Sequence, residues 1–257
     1  MSDDNAALTG KMIFFVHPSA FVQNVIIEEL VQQEYEVYIV KDETKLQKIL
    51  KNHTNSIVLA SIDETLSAAK WEAWIRQIMG EQATRDVDVG ILSSTNSDDA
   101  RRLYINTLKV SCGFIHVKTD KTKVVDVLLA MLKAADAKGR RKYIRADTRD
   151  EKMTTINLPT KNGFVTGEIR DISVVGLACT FPEDPELVKN ELFPNIQIKL
   201  QGVLIKAEGI VFGFRMDGPD KVYVFLFTAK VDPAVRVKIR TYIQKNLQIK
   251  MDEEMKF

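Results

Sequence analysis

The hydrophobic pattern of the chain changes once, near residue 150, and this change constrains the fold more than any other feature. Up to Asp136, short continuous apolar runs alternate with stretches whose apolar residues recur at helical spacing. From Met153 onward, apolar and polar residues alternate within runs that are bounded by turn residues. A length of 257 residues is comfortable for two domains, and 45% apolar residues allow each domain to bury a core. The sequence therefore predicts two domains of different fold class.

The first domain, predicted over residues 11–137, has the pattern of an α/β fold. The run Met12–Val16 is continuously apolar, as expected for a strand that is covered on both faces. Four further strands and five helices follow in alternation, which predicts a flavodoxin-like, five-stranded parallel sheet with helices on both faces. The predicted strands cover residues 12–16, 35–40, 57–60, 87–92 and 112–117, and the helices lie around residues 21–31, 46–50, 71–78, 101–108 and 124–132.

The second domain, predicted over residues 151–250, is all-β with a helix at its end. Turn signals such as Asn162-Gly163 separate its alternating runs. Five or six antiparallel strands with tight turns predict a small barrel, because closure removes unpaired strand edges. After Pro233, apolar residues at helical spacing predict a helix that caps the barrel. The predicted strands cover residues 153–158, 164–171, 176–181, 195–200, 203–214 and 222–227.

Three segments lie outside the two predicted domains. We expect residues 1–10 to form a disordered tail and residues 251–257 to form a charged, frayed one. Residues 138–150 are polar and rich in arginine, and they follow Gly139, which suits the end of a helix. This segment is predicted to be a linker that carries an exposed, Arg-rich ligand arm.

Charge and cysteine content point to a cytoplasmic protein without a metal centre. The formal net charge is +1, so any anion site must come from a local cluster. The start of the chain lacks the basic and apolar parts of a secretory signal, and we expect no membrane span. Cys112 and Cys179 lie in strand-like runs, and we expect both to be buried thiols. Neither the cysteines nor the three histidines show metal-ligand spacing.

Two short motifs contain residues whose side chains are suited to binding phosphate and guanine groups. Arg140, Arg141 and Arg145 lie in the linker, and arginine donates paired hydrogen bonds to phosphate or to the O6/N7 edge of guanine. Further on, a D-x-S-x-x-G turn separates two strand-like runs. Its carboxylate and hydroxyl can meet a guanine edge, and its glycine permits close backbone approach. The turn residues are Asp171, Ser173 and Gly176.

Together, the R-x-x-x-R and D-x-S-x-x-G motifs and the β-barrel context resemble the signature of the PilZ domain, a receptor module for bacterial cyclic di-GMP. The resemblance implies that Arg141 and Arg145 contact phosphates and guanine faces, and that Asp171 and Ser173 contact the guanine edge. An additional arginine at the position of Arg140 often accompanies binding of a stacked dimer of the ligand. The implied ligand site comprises Arg140, Arg141, Arg145, Asp171, Ser173 and Gly176. No other cofactor is implied.

The first domain resembles the receiver domain of response regulators in the order and length of its elements. Receivers carry a serine or threonine at the end of the fourth strand, where this sequence has Ser93 or Ser94. They carry a lysine at the end of the fifth strand, where this sequence has Lys118. Two acidic metal ligands after the first strand are replaced by His17-Pro18. Since Mg²⁺ requires oxygen ligands, we expect a receiver-like fold without phosphotransfer chemistry.

The function predicted from these observations is that of a cyclic di-GMP receptor, not an enzyme. Ligand binding at the interdomain arm is expected to reorient the domains and to change binding of an unknown protein partner through the receiver-like domain. One alternative is a single-stranded nucleic-acid-binding adaptor, because barrels with basic arms bind single strands. The other is a response regulator that is phosphorylated on Asp63. Receivers have their phosphoacceptor aspartate at the end of the third strand, where this sequence has Ser61, and Asp63 lies two residues further on.

Overall fold

The structure is a computed structural model that describes residues 10–63, 65–160 and 163–256. These residues divide into two compact units. The first unit contains the described residues up to Lys142 and those from Gln248 onward, and the second contains Tyr143–Leu247. The predicted tail at residues 1–10 falls almost entirely outside the described residues, as does Asn162 of the predicted turn.

The first unit contains a five-stranded parallel sheet, which confirms the predicted fold class. Its strand order is β2-β1-β3-β4-β5, and every neighbouring pair is parallel. β1 and β3 lie inside the sheet and are almost wholly buried, as continuous apolar runs require. The strands are β1 (Met12–Val16), β2 (Val37–Val40), β3 (Ser56–Ser61), β4 (Asp88–Ser93) and β5 (Phe114–His116).

Four helical segments connect these strands, and a fifth follows β5. α1 begins with a π-helical segment, Val22–Ile27, and continues as the α-helix Glu28–Gln32. α4 likewise combines Asp98–Arg101 with π-helical Arg102–Thr107. The other helices of this unit are α2 (Glu43–Leu50), α3 (Ala68–Gly80) and α5 (Lys121–Ala134). Four of the five begin at a side chain that accepts a hydrogen bond from the first turn, namely Asp42, Ser67, Ser97 and Asp120.

The second unit is a closed antiparallel barrel, again as predicted. Strands β7 to β12 pair in the order β8-β7-β10-β11-β12-β9, and β9 pairs back onto β8. A short strand, β6, lies against the second half of β8. The strands are β6 (Ala146–Asp147), β7 (Thr154–Thr160), β8 (Gly163–Ser173), β9 (Gly176–Thr180), β10 (Leu192–Leu200), β11 (Val203–Asp217) and β12 (Asp220–Phe227).

The barrel core is formed by inward-facing residues from every strand of this unit, and the short β6 contributes Ala146. Alternate residues on β12, Tyr223, Phe225 and Phe227, all belong to it, as the period-two pattern predicts. The helix α6 (Pro233–Glu254) adds Ile239, Tyr242 and Ile243 to the same core. The helix therefore covers the barrel with its apolar residues, as expected.

The last turns of α6, from Gln248 onward, belong to the first unit. The sequence led us to expect a charged, frayed tail from Met251 instead of a helix. The Gln248 side-chain amide donates to the carbonyl oxygen of Ile39 at 3.0 Å and accepts from the Ile39 amide nitrogen at 2.9 Å. Met251 is buried, and Glu254 pairs with His53 at 2.8 Å. These contacts explain why the helix continues to Glu254.

The predicted arm at residues 138–150 differs from the expectation of a wholly exposed segment. Its second half contains β6, and Thr148 donates a backbone hydrogen bond to Arg170 on β8. Ala146 and Thr148 are both buried. The barrel side of this segment is therefore anchored, and Tyr143 and Ile144 before β6 also pack against the barrel core, although residues 138–145 form neither helix nor strand.

Both cysteines are buried and unpaired, which confirms the sequence expectation. Burial raises the pKa of the Cys112 thiol to about 11 and raises that of Cys179 further. In the described part of the chain, no helix is both long enough and apolar enough to cross a bilayer.

Candidate ligand-binding site

An ion pair joins the two sequence motifs within the second unit. Arg145 Nη1 donates to Asp171 Oδ1 at 3.1 Å, although the two residues are 26 positions apart in sequence. The Arg145 side chain is 47% exposed and that of Asp171 is 21% exposed, so the pair lies at the surface. An exposed guanidinium next to a less exposed carboxylate is accessible to a ligand from solvent.

The strand β6 explains why these two side chains meet. Ala146, which directly follows Arg145, pairs with Ile172 on β8, and Asp147 pairs with Asp171. The backbone on either side of the ion pair is therefore fixed by a strand ladder. Pairing of β6 with β8 therefore holds Arg145 next to the barrel. Electrostatic attraction to Asp171 is not required to bring it there.

A third charged residue, Arg215 on β11, also reaches Asp171. Its Nη2 lies 3.7 Å from Asp171 Oδ2, which is an ion-pair contact but longer than a hydrogen bond. One carboxylate thus lies between two guanidinium groups, one from the arm and one from the barrel wall. The arrangement carries a net positive charge that favours an anionic ligand.

Ser173 is buried and has a structural role in the turn between β8 and β9. Its hydroxyl donates to the Gly176 carbonyl oxygen at 3.1 Å and accepts from the Val175 amide at 3.4 Å. Its relative exposure is 4%. A serine that bonds to its own turn in this way stabilises the turn that follows Asp171.

Gly176 is required by the packing of β9 on β12. A Cβ atom at this position would lie 2.2 Å from the carbonyl oxygen of Phe225, which is closer than atoms can approach. Its φ does not lie in the left-handed region. The sequence led us to expect close backbone approach at Gly176. In the structure, the backbone that approaches Gly176 is that of the neighbouring strand β12.

The other two arginines of the motif belong to the first unit. Arg140 is exposed and lines a cleft of about 530 Å³ together with Lys11, Asn55 and Lys138. Arg141 is likewise exposed. Of the three arginines, only Arg145 belongs to the same unit as Asp171.

Further ion pairs surround Asp171 on the barrel. Arg149 binds Asp147, the strand partner of Asp171, and this contact is the main cause of the raised Arg149 pKa. On the other side of Asp171, Arg170 pairs with Asp220 at 2.5 Å. These neighbouring arginines already have carboxylate partners of their own, so Arg145 and Arg215 are the cations that share Asp171.

The receiver-like unit has a cleft of about 560 Å³ at the carboxyl ends of β1 and β3, where the strand order reverses. Asp63 lies there, but both of its oxygens already accept hydrogen bonds. Ser93 Oγ donates to one and the Ser94 amide donates to the other, each at 2.6 Å. The carboxylate that was the candidate phosphoacceptor is therefore held by the β4 end of the sheet.

The position of the first acidic metal ligand of receivers is also occupied by a paired side chain. His17 has a φ of 49° after β1, and its Nε2 lies 2.7 Å from Glu43 Oε2. Across residues 10–63, 65–160 and 163–256, no group of three or more His, Cys, Asp or Glu side chains is placed to hold a metal ion. Lys118, the counterpart of the receiver lysine, is exposed two residues beyond β5.

Arg215 was not identified from the sequence, because it belongs to neither motif. It lies 44 positions after Asp171, and closure of the barrel through β12 and β9 brings it near that residue. The exposed aromatic side chains of Phe164, Phe212 and Phe214 were also not foreseen. Arg215 itself is a single arginine in a β-rich run, and such a residue gives no sequence signal of a contact with Asp171.

Comparison with solved structures gives similarity to two kinds of protein. The PilZ domain of Escherichia coli YcgR with c-di-GMP matches at 17% identity, with a TM-score of 0.38, over 45% of this chain and 96% of that one. The K. pneumonia MrkH–c-di-GMP complex matches at 20% identity, with a TM-score of 0.37, over 47% of this chain and 57% of that one.

The response regulator CheY4 of Vibrio cholerae matches at 10% identity, with a TM-score of 0.40, over 48% of this chain and all of that one. The chain spans about half the length of YcgR in its longer structure, 51%. No family model matches the chain, and no curated protein matches it.

Proposed function

We propose that this chain is a receptor for cyclic di-GMP that binds the nucleotide at the Arg-rich arm and the adjoining face of the barrel. The observation that carries the proposal is the contact between Arg145 and Asp171, which unites the two motifs at an exposed surface. The proposed site comprises Arg140, Arg141, Arg145, Asp171, Ser173 and Gly176.

The chemistry of the ligand fits these side chains. Cyclic di-GMP carries two phosphates, and arginine binds phosphate oxygens through paired, charge-assisted hydrogen bonds. Asp171 has up to four lone-pair positions, so it can keep Arg145 and still accept from a guanine N1–H or N2–H₂. Arg141 is four residues from Arg145, so the backbone between them is short enough for both guanidinium groups to contact one ligand.

Two of the assigned residues support the site through the fold of the turn. The Ser173 hydroxyl bonds to the Gly176 carbonyl, and Gly176 packs against Phe225. We infer that these two residues mainly hold Asp171 in position, with the backbone of the turn facing the ligand. The side-chain contacts of the nucleotide then fall to the arginines and Asp171.

The proposed mechanism is ordering of the arm. Residues 138–145 form no regular element, whereas β6 anchors the residues that follow. Binding of the dianion to Arg140 and Arg141 would fix the backbone of residues 138–141 and so bias the placement of the receiver-like unit. A partner protein would recognise the resulting surface. The protein acts in this scheme as a receptor and carries out no chemical step.

A titration of purified protein with cyclic di-GMP tests the proposal. Isothermal titration should give saturable binding to the wild type, and Arg141→Ala and Arg145→Ala should each weaken it by about tenfold or more, as expected for loss of a charge-assisted contact. Arg76→Ala is the matched control, because Arg76 forms an exposed ion pair with Glu72 in the other unit. Unchanged affinity in the Arg141/Arg145 double variant would falsify the site.

Phosphorylation of the receiver-like unit is the less favoured alternative. Both oxygens of Asp63 are engaged at 2.6 Å, and His17 is paired with Glu43 where a receiver has a metal ligand. We therefore expect no labelling by a small phosphodonor such as acetyl phosphate in the presence of Mg²⁺. Intact-protein mass spectrometry before and after incubation measures this directly.

A further inference from the structure

Arg215 lies on the same face of the barrel sheet as Asp171, and the strand register shows why. Asp171 pairs with Ala178, Ala178 pairs with Val224, and Val224 pairs with Gly213. Residues that are paired across a sheet point to the same face, and so does the residue two positions further along a strand. Arg215 follows Gly213 by two positions, so it shares the face of Asp171.

Irregularities in β8 and β11 together produce this alignment. The register of β8 against β9 shifts between Ile169, which is in the core, and Asp171, so that Asp171 leaves the core face. The register of β11 against β12 shifts between Val211, which is in the core, and Gly213. Without the shift, strict alternation from Val211 would place residue 215 on the core side of the strand. The additional residue between Val211 and Gly213 reverses the alternation of side chains along β11. The Arg215 side chain therefore points to the face that carries Asp171.

The Arg215 guanidinium has donors to spare. Its contact with Asp171 is 3.7 Å, beyond hydrogen-bond distance, whereas Arg145 makes a hydrogen bond to the other oxygen at 3.1 Å. Its side chain is 53% exposed. A planar, exposed fork of N–H donors thus lies beside a carboxylate acceptor on one surface.

A carboxylate beside a guanidinium is complementary to guanine and not to adenine. Guanine offers N1–H and N2–H₂ as donors, which suit a carboxylate, and O6 and N7 as neighbouring acceptors, which suit arginine. Adenine has an amino donor where guanine has O6. An arginine at that place would therefore face a donor instead of O6 and keep only N7 as an acceptor.

We propose that Arg215 is a base-specificity residue of this site, donating to the O6/N7 edge of the guanine whose N1–H side is held by Asp171. The inference rests on the proposed cyclic di-GMP function and adds to it a residue outside both motifs. The arm arginines then provide phosphate binding, while the pair of Asp171 and Arg215 reads the base.

The experiment compares the affinities of cyclic di-GMP and cyclic di-AMP for wild type, Arg215→Ala, Arg215→Lys and the control Arg76→Ala. Arg215→Ala should lose about tenfold or more in affinity for cyclic di-GMP, the effect of one bidentate base contact, with little change for cyclic di-AMP. Arg215→Lys should recover only part of this loss, because lysine keeps the charge but not the planar fork. Arg76 is 50% exposed in its own surface ion pair, so its variant matches the charge change and exposure.

The possible results separate this inference from the proposed function. An equal loss for both nucleotides in Arg215→Ala would mean that Arg215 supplies only positive charge, and would overturn the specificity role. A cyclic di-GMP affinity within twofold of wild type, with Arg145→Ala still defective, would overturn the role of Arg215 and leave the proposed function standing. Absence of binding by the wild type itself would overturn both. Far-UV circular dichroism and thermal melting verify that each variant is folded.

Discussion

At the scale of single residues, the D-x-S-x-x-G motif divides into a solvent-accessible carboxylate and residues that build the turn. Asp171 is accessible and lies between two guanidinium groups. Ser173 and Gly176 are buried, with contacts inside the barrel. The turn therefore needs its serine and glycine to fold, and substitutions at these two positions are expected to change the stability of the barrel as well as any binding at Asp171.

The substitution Gly176→Ala tests the structural role of the glycine. The new Cβ would meet the Phe225 carbonyl oxygen at 2.2 Å, so β9 and β12 would have to move apart. We expect the free energy of unfolding to fall by about 1–3 kcal/mol, the usual cost of forced overpacking. Urea denaturation followed by circular dichroism measures it.

Gly80→Ala is the control for that experiment, since a Cβ at Gly80 in α3 would meet nothing within 4 Å. There the added methyl group should leave stability unchanged or raise it by up to about 1 kcal/mol. Equal stability of Gly176→Ala and the wild type would show that β9 and β12 can separate at no cost, contrary to the packing argument.

At the scale of elements, the end of α6 covers an edge of the parallel sheet. One of its side chains forms the hydrogen bonds that a neighbouring strand would otherwise form. β2 is an edge strand, so its outer backbone groups have no strand partner. The Gln248 side chain supplies one acceptor and one donor to Ile39, which is the bonding pattern of a peptide group. An amide side chain is suited to this position because it carries both groups at once.

Replacing Gln248 by alanine should uncover this part of the edge. The Ile39 amide would lose its acceptor, and we expect roughly tenfold faster hydrogen exchange at that amide, since an orphaned donor at a partly buried site is costly. Glu253→Ala serves as the control, because Glu253 is exposed on the same helical turns. Exchange at Ile39 that matches the wild type would contradict the role given to Gln248.

At the scale of the whole chain, the proposed receptor function predicts a change in the protease sensitivity of the arm. Arg140, Arg141, Lys142 and Arg145 are trypsin sites in a segment without regular structure. If the nucleotide orders the arm, cleavage in this segment should slow severalfold when cyclic di-GMP is present. Timed digestion followed by mass spectrometry of the fragments measures the rate at each site.

Two comparisons make that digestion decisive. Arg145→Ala should be cleaved at the same rate with and without the nucleotide, because it lacks the proposed contact. Sites elsewhere in the chain report any general effect of the nucleotide on trypsin. Protection that persists in Arg145→Ala would show that ordering of the arm does not depend on this arginine.

Much of the architecture follows from local patterns. Continuous apolar runs such as Met12–Val16 define buried parallel strands, and strict alternation defines barrel strands, because side-chain periodicity reflects which faces are covered. Asp42 and Ser97 cap helices where polar residues precede apolar repeats. The two motifs likewise identified Arg145 and Asp171, which the barrel brings together.

Other features depend on contacts between residues that are distant in sequence, and no local pattern encodes them. The end of α6 is helical because it packs on β2, more than 200 positions away, although its charged sequence favours a tail. Arg215 reaches Asp171 only because strand irregularities in β8 and β11 and barrel closure align their faces. The sequence by itself thus determined most of the elements, the two fold classes and the candidate motif residues, through side-chain periodicity and residue chemistry. The tertiary structure alone decided which charges share Asp171, since strand register and closure set those distances.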